Sequence, residues 1–140
     1  MPNLNRLRRG RRRGAQMVEF AIILPVLVFL LFGIIQYGWI FLKVSQLNQA
    51  ARMGTRVAVR PAATEDEVRD AIDEVMSSAR LASSGYTISI SDLGVDVGDP
   101  VEIQVDVNYA NNDNIELLGI SLLPRPDSLH GRAVMAKEGP

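Results

Sequence analysis

No cysteine occurs in the 140 residues, and there is a single histidine, His130. The first absence removes disulfides, thiol nucleophiles and cysteine metal sites together. The second removes any site built from paired histidines, and His130 falls in an edge-strand pattern rather than a catalytic motif. Neither G-x-S-x-G, a P-loop, H-E-x-x-H nor C-x-x-C is present, so the residues support no enzymatic reaction and call for no cofactor. Repeats and low-complexity segments are also missing, apart from an arginine-rich head. Acid is missing from that head altogether: residues 1–14 carry six arginines and no carboxylate, while the rest of the chain holds nine basic and sixteen acidic side chains.

Charge is nearly absent from the next stretch as well. From Phe20 to Leu42, 23 residues, Gln36 is the one strongly polar side chain. A helix of that length rises roughly 34 Å, enough to cross the hydrocarbon core of a bilayer with some tilt. Beside such a run, Arg8, Arg9, Arg11, Arg12 and Arg13 are read as topology determinants that keep the N-terminus cytoplasmic. Nucleic acid is the poorer explanation, because no aromatic is interleaved with the arginines and no folded module surrounds them. A cleaved secretory signal fits badly too, since the apolar run is too long and no small-x-small site follows it. Pro25 lacks an N–H and predicts a kink or loosened turn within the span. Tyr37 and Trp39 form an aromatic belt at its far end, followed by Lys43 as an interfacial anchor.

Beyond the span, Val44, Leu47, Ala51, Gly54 and Ala58 recur at three- and four-residue steps, which extends one helix to about Val59, with Pro61 ending it. Gly54 marks either close packing or a break. Thr64 and Glu67 form a capping box for a second helix running to about Ala82, with Gly85 as its stop and Arg69 spaced to pair with Asp73. The period then falls to two. Tyr86, Ile88 and Ile90 make one strand; Val101, Ile103, Val105, Val107 and Tyr109 make one face of a second; Leu129–Ala136 makes a third. Residues 111–114 read as a turn or loop, and 115–124 as an apolar connector too short to span.

The fold expected is α+β: a basic leader over 1–14, a long helix over 15–60 with its span at 20–42, and a head over 61–140 of one helix on an antiparallel sheet of about three strands. With residues 1–13 expected to be disordered, a head of roughly 80 residues is marginal on its own core. Support from the membrane helix or a partner is therefore expected.

Two features bear on chemistry. Asp92, Asp96 and Asp99 surround a glycine-rich turn and offer oxygens to calcium, but they lack EF-hand spacing and are more simply turn formers, so no metal site is assigned. Glu19 stands at the lip of the span, where a carboxylate costs a few kcal/mol unless it snorkels or is paired. It is either hydrated among headgroups or neutralised by a cation. A cut between Gly14 and Ala15 would create an amine about one helical turn away.

The string Gly14-Ala-Gln-Met-Val-Glu19-Phe20, leading straight into the apolar run, resembles the processing site of type IV-type prepilins, and most the Flp/Tad branch. Together with AARMGTR at 50–56 and AVMAKE at 133–138, it resembles the TadE-like pseudopilins. The resemblance implies a minor pilin or pseudopilin that supports assembly of a Flp/Tad pilus used in adhesion and biofilm formation. It implies cleavage by a prepilin peptidase between Gly14 and Ala15, with Glu19 at the fifth mature position and Phe20 after it, and pairing of Ala15 and Glu19 between subunits. The partners it implies are that peptidase, other Flp/Tad pilins or pseudopilins, the inner-membrane assembly platform and the lipid bilayer. The chain would be a single-pass protein of the cytoplasmic membrane with its head outside, incorporated in turn into a pilus. The alternative reading is a single-pass envelope protein, unrelated to pili, whose head binds a partner.

Overall fold

The computed structural model describes residues 5–93, 95–108 and 126–139, with side chains from Gly14 onward. The elements follow in the order α1 (Asn5–Ala58), α2 (Glu65–Ser78), a short 3-10 turn (Ala82–Ser84), β1 (Tyr86–Ile90), β2 (Pro100–Asn108) and β3 (Ser128–Ala136). This is an α+β chain: one long N-terminal apolar helix, a second helix and a three-stranded antiparallel sheet. It divides into two compact units, residues 1–37 and 38–140. Tyr109, the expected loop at 111–114 and the apolar connector at 115–124 lie outside the described residues.

The first unit is helical from Asn5, which differs from the expected disordered leader. Arginine and leucine are good helix formers, and adding residues to an existing helix costs far less than nucleating one. The helix also continues through Pro25. From Gly14 to Tyr37 every residue is exposed except Gly33 and Gln36, which are half-buried.

The second unit contains the core. From α1 it takes Ile40, Leu47, Ala50, Ala51 and Ala58; from α2, Val68, Ile72 and Met76; from the sheet, Val101, Ile103, Val105, Val107, Leu129 and Ala133. The stripe of small and apolar residues beyond the span thus faces the head. Gly54 is a site of close packing: a Cβ there would stand 2.7 Å from Ile72 Cδ1 and 3.2 Å from Ile103 Cδ1. The approach at Gly131 in β3 is closer still, 2.3 Å from the carbonyl carbon of Leu47 and 2.6 Å from the amide nitrogen of Asn48. Only a residue without a side chain allows the two backbones this near.

α2 starts on the predicted capping box. Thr64 is extended, its hydroxyl accepts from the Glu67 amide, and the Glu67 carboxylate accepts from the Thr64 amide. Its end comes earlier than Ala82. Leu81 donates its N–H to the Met76 carbonyl (2.8 Å) and Arg80 to Ser77 (3.0 Å). Arg80 takes a left-handed φ of 55°, while Leu81 and Met76 are both buried. These bonds and that apolar contact form a Schellman motif, so burial of Leu81 turns the chain before Gly85 is reached. Arg69 does not pair with Asp73. It lies 3.6 Å from Glu65, the arrangement with acid N-terminal to base that suits the helix dipole. Asp73 instead accepts a short hydrogen bond from the Tyr86 hydroxyl.

The sheet order is β1-β2-β3, both pairs antiparallel, with Ile88 opposite Val105 and Val105 opposite Gly131. The odd-numbered residues of β2 from Val101 to Val107 are buried, whereas Glu102, Gln104 and Asp106 face outward and are half-buried. On that outer face Arg132 forms a two-pronged ion pair with Glu102, Nε to Oε1 at 2.5 Å and Nη2 to Oε2 at 2.7 Å.

Tertiary hydrogen bonds tie α1 to β3. Asn48 Oδ1 accepts the Arg132 amide at 3.2 Å. Just beyond the strand, Lys137 Nζ donates to Ala58 O at 3.0 Å, placing a cation on the carbonyl end of α1, where the helix dipole favours it. The Glu138 amide donates to Val59 O at 2.9 Å.

Candidate functional site

Gly14, Ala15, Glu19 and Phe20 lie within one unbroken stretch of α1, and all four are exposed, Phe20 at 63%. A Cβ at Gly14 would meet nothing within 4 Å. Glu19 is 4 positions, about one helical turn, from Ala15, so the two share a helix face. Among the described residues Glu19 has no ion pair or hydrogen-bond partner. The surrounding side chains, Met17, Val18, Ile22 and Ile23, are apolar and more than half exposed. The carboxylate therefore interrupts a largely apolar, exposed surface. Arg8, Arg9, Arg11, Arg12 and Arg13 precede it in the helical backbone of α1.

At the other end of the apolar run, Tyr37 is about half exposed and Trp39 half-buried. Lys43 is buried, 5% exposed. Its Nζ sits 4.9 Å from the Trp39 ring centroid and donates to Ala79 O, the carbonyl at the end of α2, at 3.3 Å. Burial pushes the Lys43 ammonium below the ordinary lysine range, and the nearby Arg80 charge adds to the shift. Its observed contacts are therefore a cation–π contact and a cap on α2. Reading the sequence as a span boundary missed this second partner, because Lys43 and Ala79 stand 36 positions apart and the chain between them carries no local signal of it.

His130 is exposed in β3, opposite Asp106 on the outer face of the sheet. Asp99 closes a turn through its amide to Asp96 O at 3.0 Å, and its carbonyl accepts from the Lys137 amide. Among the described residues no group of three or more histidines, aspartates and glutamates converges to hold a metal ion.

These features define a class: among the described residues, one N-terminal helix long and apolar enough to cross a membrane, together with a small α+β head. The helix suggests a membrane anchor. Residues 14–56 match the family model of TadE-like proteins, which points to a Tad pilus-associated protein. The match begins at Gly14 and takes in the apolar run and most of the helix that enters the head; α2 and the sheet lie outside it. No curated protein and no solved structure matches the chain.

Proposed function

We propose that this chain is a minor pilin or pseudopilin of a Flp/Tad-type pilus, inserted with its N-terminus in the cytoplasm and cut by a prepilin peptidase between Gly14 and Ala15. The observation that carries the reading is the coincidence at Gly14. The family match starts there, and five residues later a carboxylate with no partner among the described residues heads an exposed apolar helix. The bond to be cut lies in helical backbone, and glycine at its N-terminal side lowers the cost of opening that turn by about 1 kcal/mol relative to alanine. Cleavage removes the arginine leader and leaves an amine at Ala15. In a bundle of staggered copies, or with other pilins, the amine of one subunit neutralises Glu19 of the next, which relieves the cost of holding either charge in a low-dielectric layer.

The role is structural, supporting assembly of a pilus used in adhesion and biofilm formation, with the peptidase, related pilins and the assembly platform of the inner membrane as partners. Pro25 would loosen the helix as subunits pack, and Tyr37 and Trp39 would hold the far end at the membrane interface. The test has two readings. Intact mass from cells with an active prepilin peptidase is expected to give a chain beginning at Ala15. Glu19→Ala is expected to be cut yet to drop out of the assembled fraction by roughly tenfold or more. A chain that keeps Met1 would instead favour an envelope protein unrelated to pili. Incorporation of Glu19→Ala at the normal level would remove the pairing while leaving the processing in place.

A further inference from the structure

Two ladders of like charge run along the outside of the head unit. Arg52 and Arg56 lie four residues apart on α1, and Arg60 follows at the same interval in the turn beyond it; all three are exposed. On α2, Asp66, Asp70 and Glu74 repeat the same interval, and all three are exposed. Like charges at i, i+4 repel and destabilise an isolated helix, so each ladder is a local cost that no ion pair among the described residues offsets. Between Phe20 and Ala58 α1 contains no acid, and α2 carries six acids against one arginine, Arg69, which is held by Glu65. Among the described residues none of the six ladder residues joins an ion pair. Arg52 and Arg56 also wall a groove of about 290 Å³ floored by Met53, Val75 and Met135.

We propose that these ladders are the two halves of a contact between copies of this chain, the arginine ladder of one copy docking on the acidic ladder of the next. The copy is favoured as occupant because each chain carries both signs at one spacing, yet pairs none of them among the described residues. On each helix successive ladder residues step by roughly 6 Å of rise, so Arg52 and Arg56 can meet two successive acids of α2, with Arg56 opposite Asp70. The two patches differ, so the contact is heterologous and propagates head to tail instead of closing as a twofold dimer. Anionic headgroups suit the site less well. Arg52 stands about 15 Å of helix rise beyond Leu42, further than the roughly 8 Å over which a surface potential decays at physiological salt. The contact uses only the head unit, so it is expected with the leader cut or uncut and does not depend on processing at Gly14.

The cysteine-free sequence makes the test direct. Full-length copies carrying Met53→Cys and differently tagged copies carrying Ser77→Cys are co-expressed and treated in native membranes with a bifunctional thiol reagent. A mixed adduct is expected. Reversing Arg52, Arg56 and Arg60 to Glu on both copies should lower its yield roughly tenfold or more, as should raising salt to about 1 M, since exposed pairs are screened there. Adding Asp66→Lys, Asp70→Lys and Glu74→Lys to the reversed chain restores the complement, and the adduct with it. Absence of the mixed adduct from the parent pair overturns the proposal. So does an adduct indifferent to charge reversal, or reversal that lowers binding to anionic vesicles without changing the adduct.

Discussion

From Gly14 to Tyr37 the apolar side chains of α1 are exposed, Ile22 at 68% and Ile34 at 64%, whereas from Gly38 to Ala58 the same helix buries Leu47, Ala50, Ala51 and Ala58 to 1% or less. Secondary structure is identical in the two regions; the surroundings their surfaces require are not. The first is apolar on every side, so no face can be set aside for water, and its surface needs lipid or other helices. The second keeps Gln49, Arg52 and Arg56 outside and a stripe of small residues inside, so it can form part of a water-soluble core. One helix thus has an exposed apolar part, which suggests a membrane anchor, and a part that is the central element of the head. This resolves the difficulty that a cysteine-free head of this size has little core of its own: Leu47, Ala51, Gly54 and Ala58 supply the missing layer.

The contrast can be broken most severely where α1 and β3 touch. Gly131→Ala puts a methyl 2.3 Å from the Leu47 carbonyl carbon, against backbone that cannot rotate aside. It should cost the head about 3 kcal/mol, the upper range for overpacking, or abolish its folding. Gly54→Ala meets the movable end of Ile72 and gains helix propensity, so about 1 kcal/mol is expected. Gly38→Ala, with nothing within 4 Å of its Cβ, should not lower stability. Denaturant titration of the detergent-solubilised protein, followed by fluorescence of the single tryptophan, Trp39, ranks the three. Equal effects at Gly131 and Gly38 would mean that α1 does not seat on β3.

A smaller effect is expected with the opposite sign. Arg80 closes α2 in a left-handed conformation (φ 55°) that costs a residue with a side chain about 1 kcal/mol. Arg80→Gly should raise head stability by about 0.5 kcal/mol after the entropy of glycine in the unfolded chain is counted. It also removes the charge that presses on Lys43. A loss of stability in the same titration would show that the arginine side chain contributes more than its backbone costs. The helix from Gly14 to Tyr37 should be indifferent to the change.

What was legible in the sequence was what is local. The capping box needs Thr64 and Glu67 three positions apart, the strands need a period of two, and the long apolar helix needs only its length. The stripe from Leu47 to Ala58 was also legible, because burial on one side of a helix leaves a periodic trace. Contacts between distant segments left none: Asn48 to Arg132, Lys43 to Ala79 and Lys137 to Ala58 each join residues more than 35 positions apart. The end of α2 was misplaced for the same reason, since the turn at Arg80 depends on burying Leu81 in a core the sequence does not display. Arg69 was assigned to the wrong neighbour although both stood four residues away; the helix dipole favours the acid on the N-terminal side. The segment from Gly14 to Phe20 is the reverse case. Its reading rests on the order of its residues, and they are all exposed, so burial adds nothing to it.

The gentlest probe of the two regions is alkali. The Tyr86 hydroxyl is pushed up from 10.0 to about 12, chiefly by burial and also by its hydrogen bond to Asp73 and that carboxylate's charge. The folded head therefore holds the phenolic proton more tightly than the unfolded chain does. The stability this contributes is complete below pH 10 and is lost as pH rises from 10 to about 12. Lys43, whose folded value lies below 10.5, works in the other direction as it deprotonates, so the comparison to make is between the parent chain and Tyr86→Phe. The difference in stability between them should shrink across that interval as the parent loses the tyrosine contribution. Far-UV circular dichroism should meanwhile keep the helical signal of residues 14–37. A difference that stays constant from pH 9 to pH 12 would mean that Tyr86 does not hold its proton against Asp73.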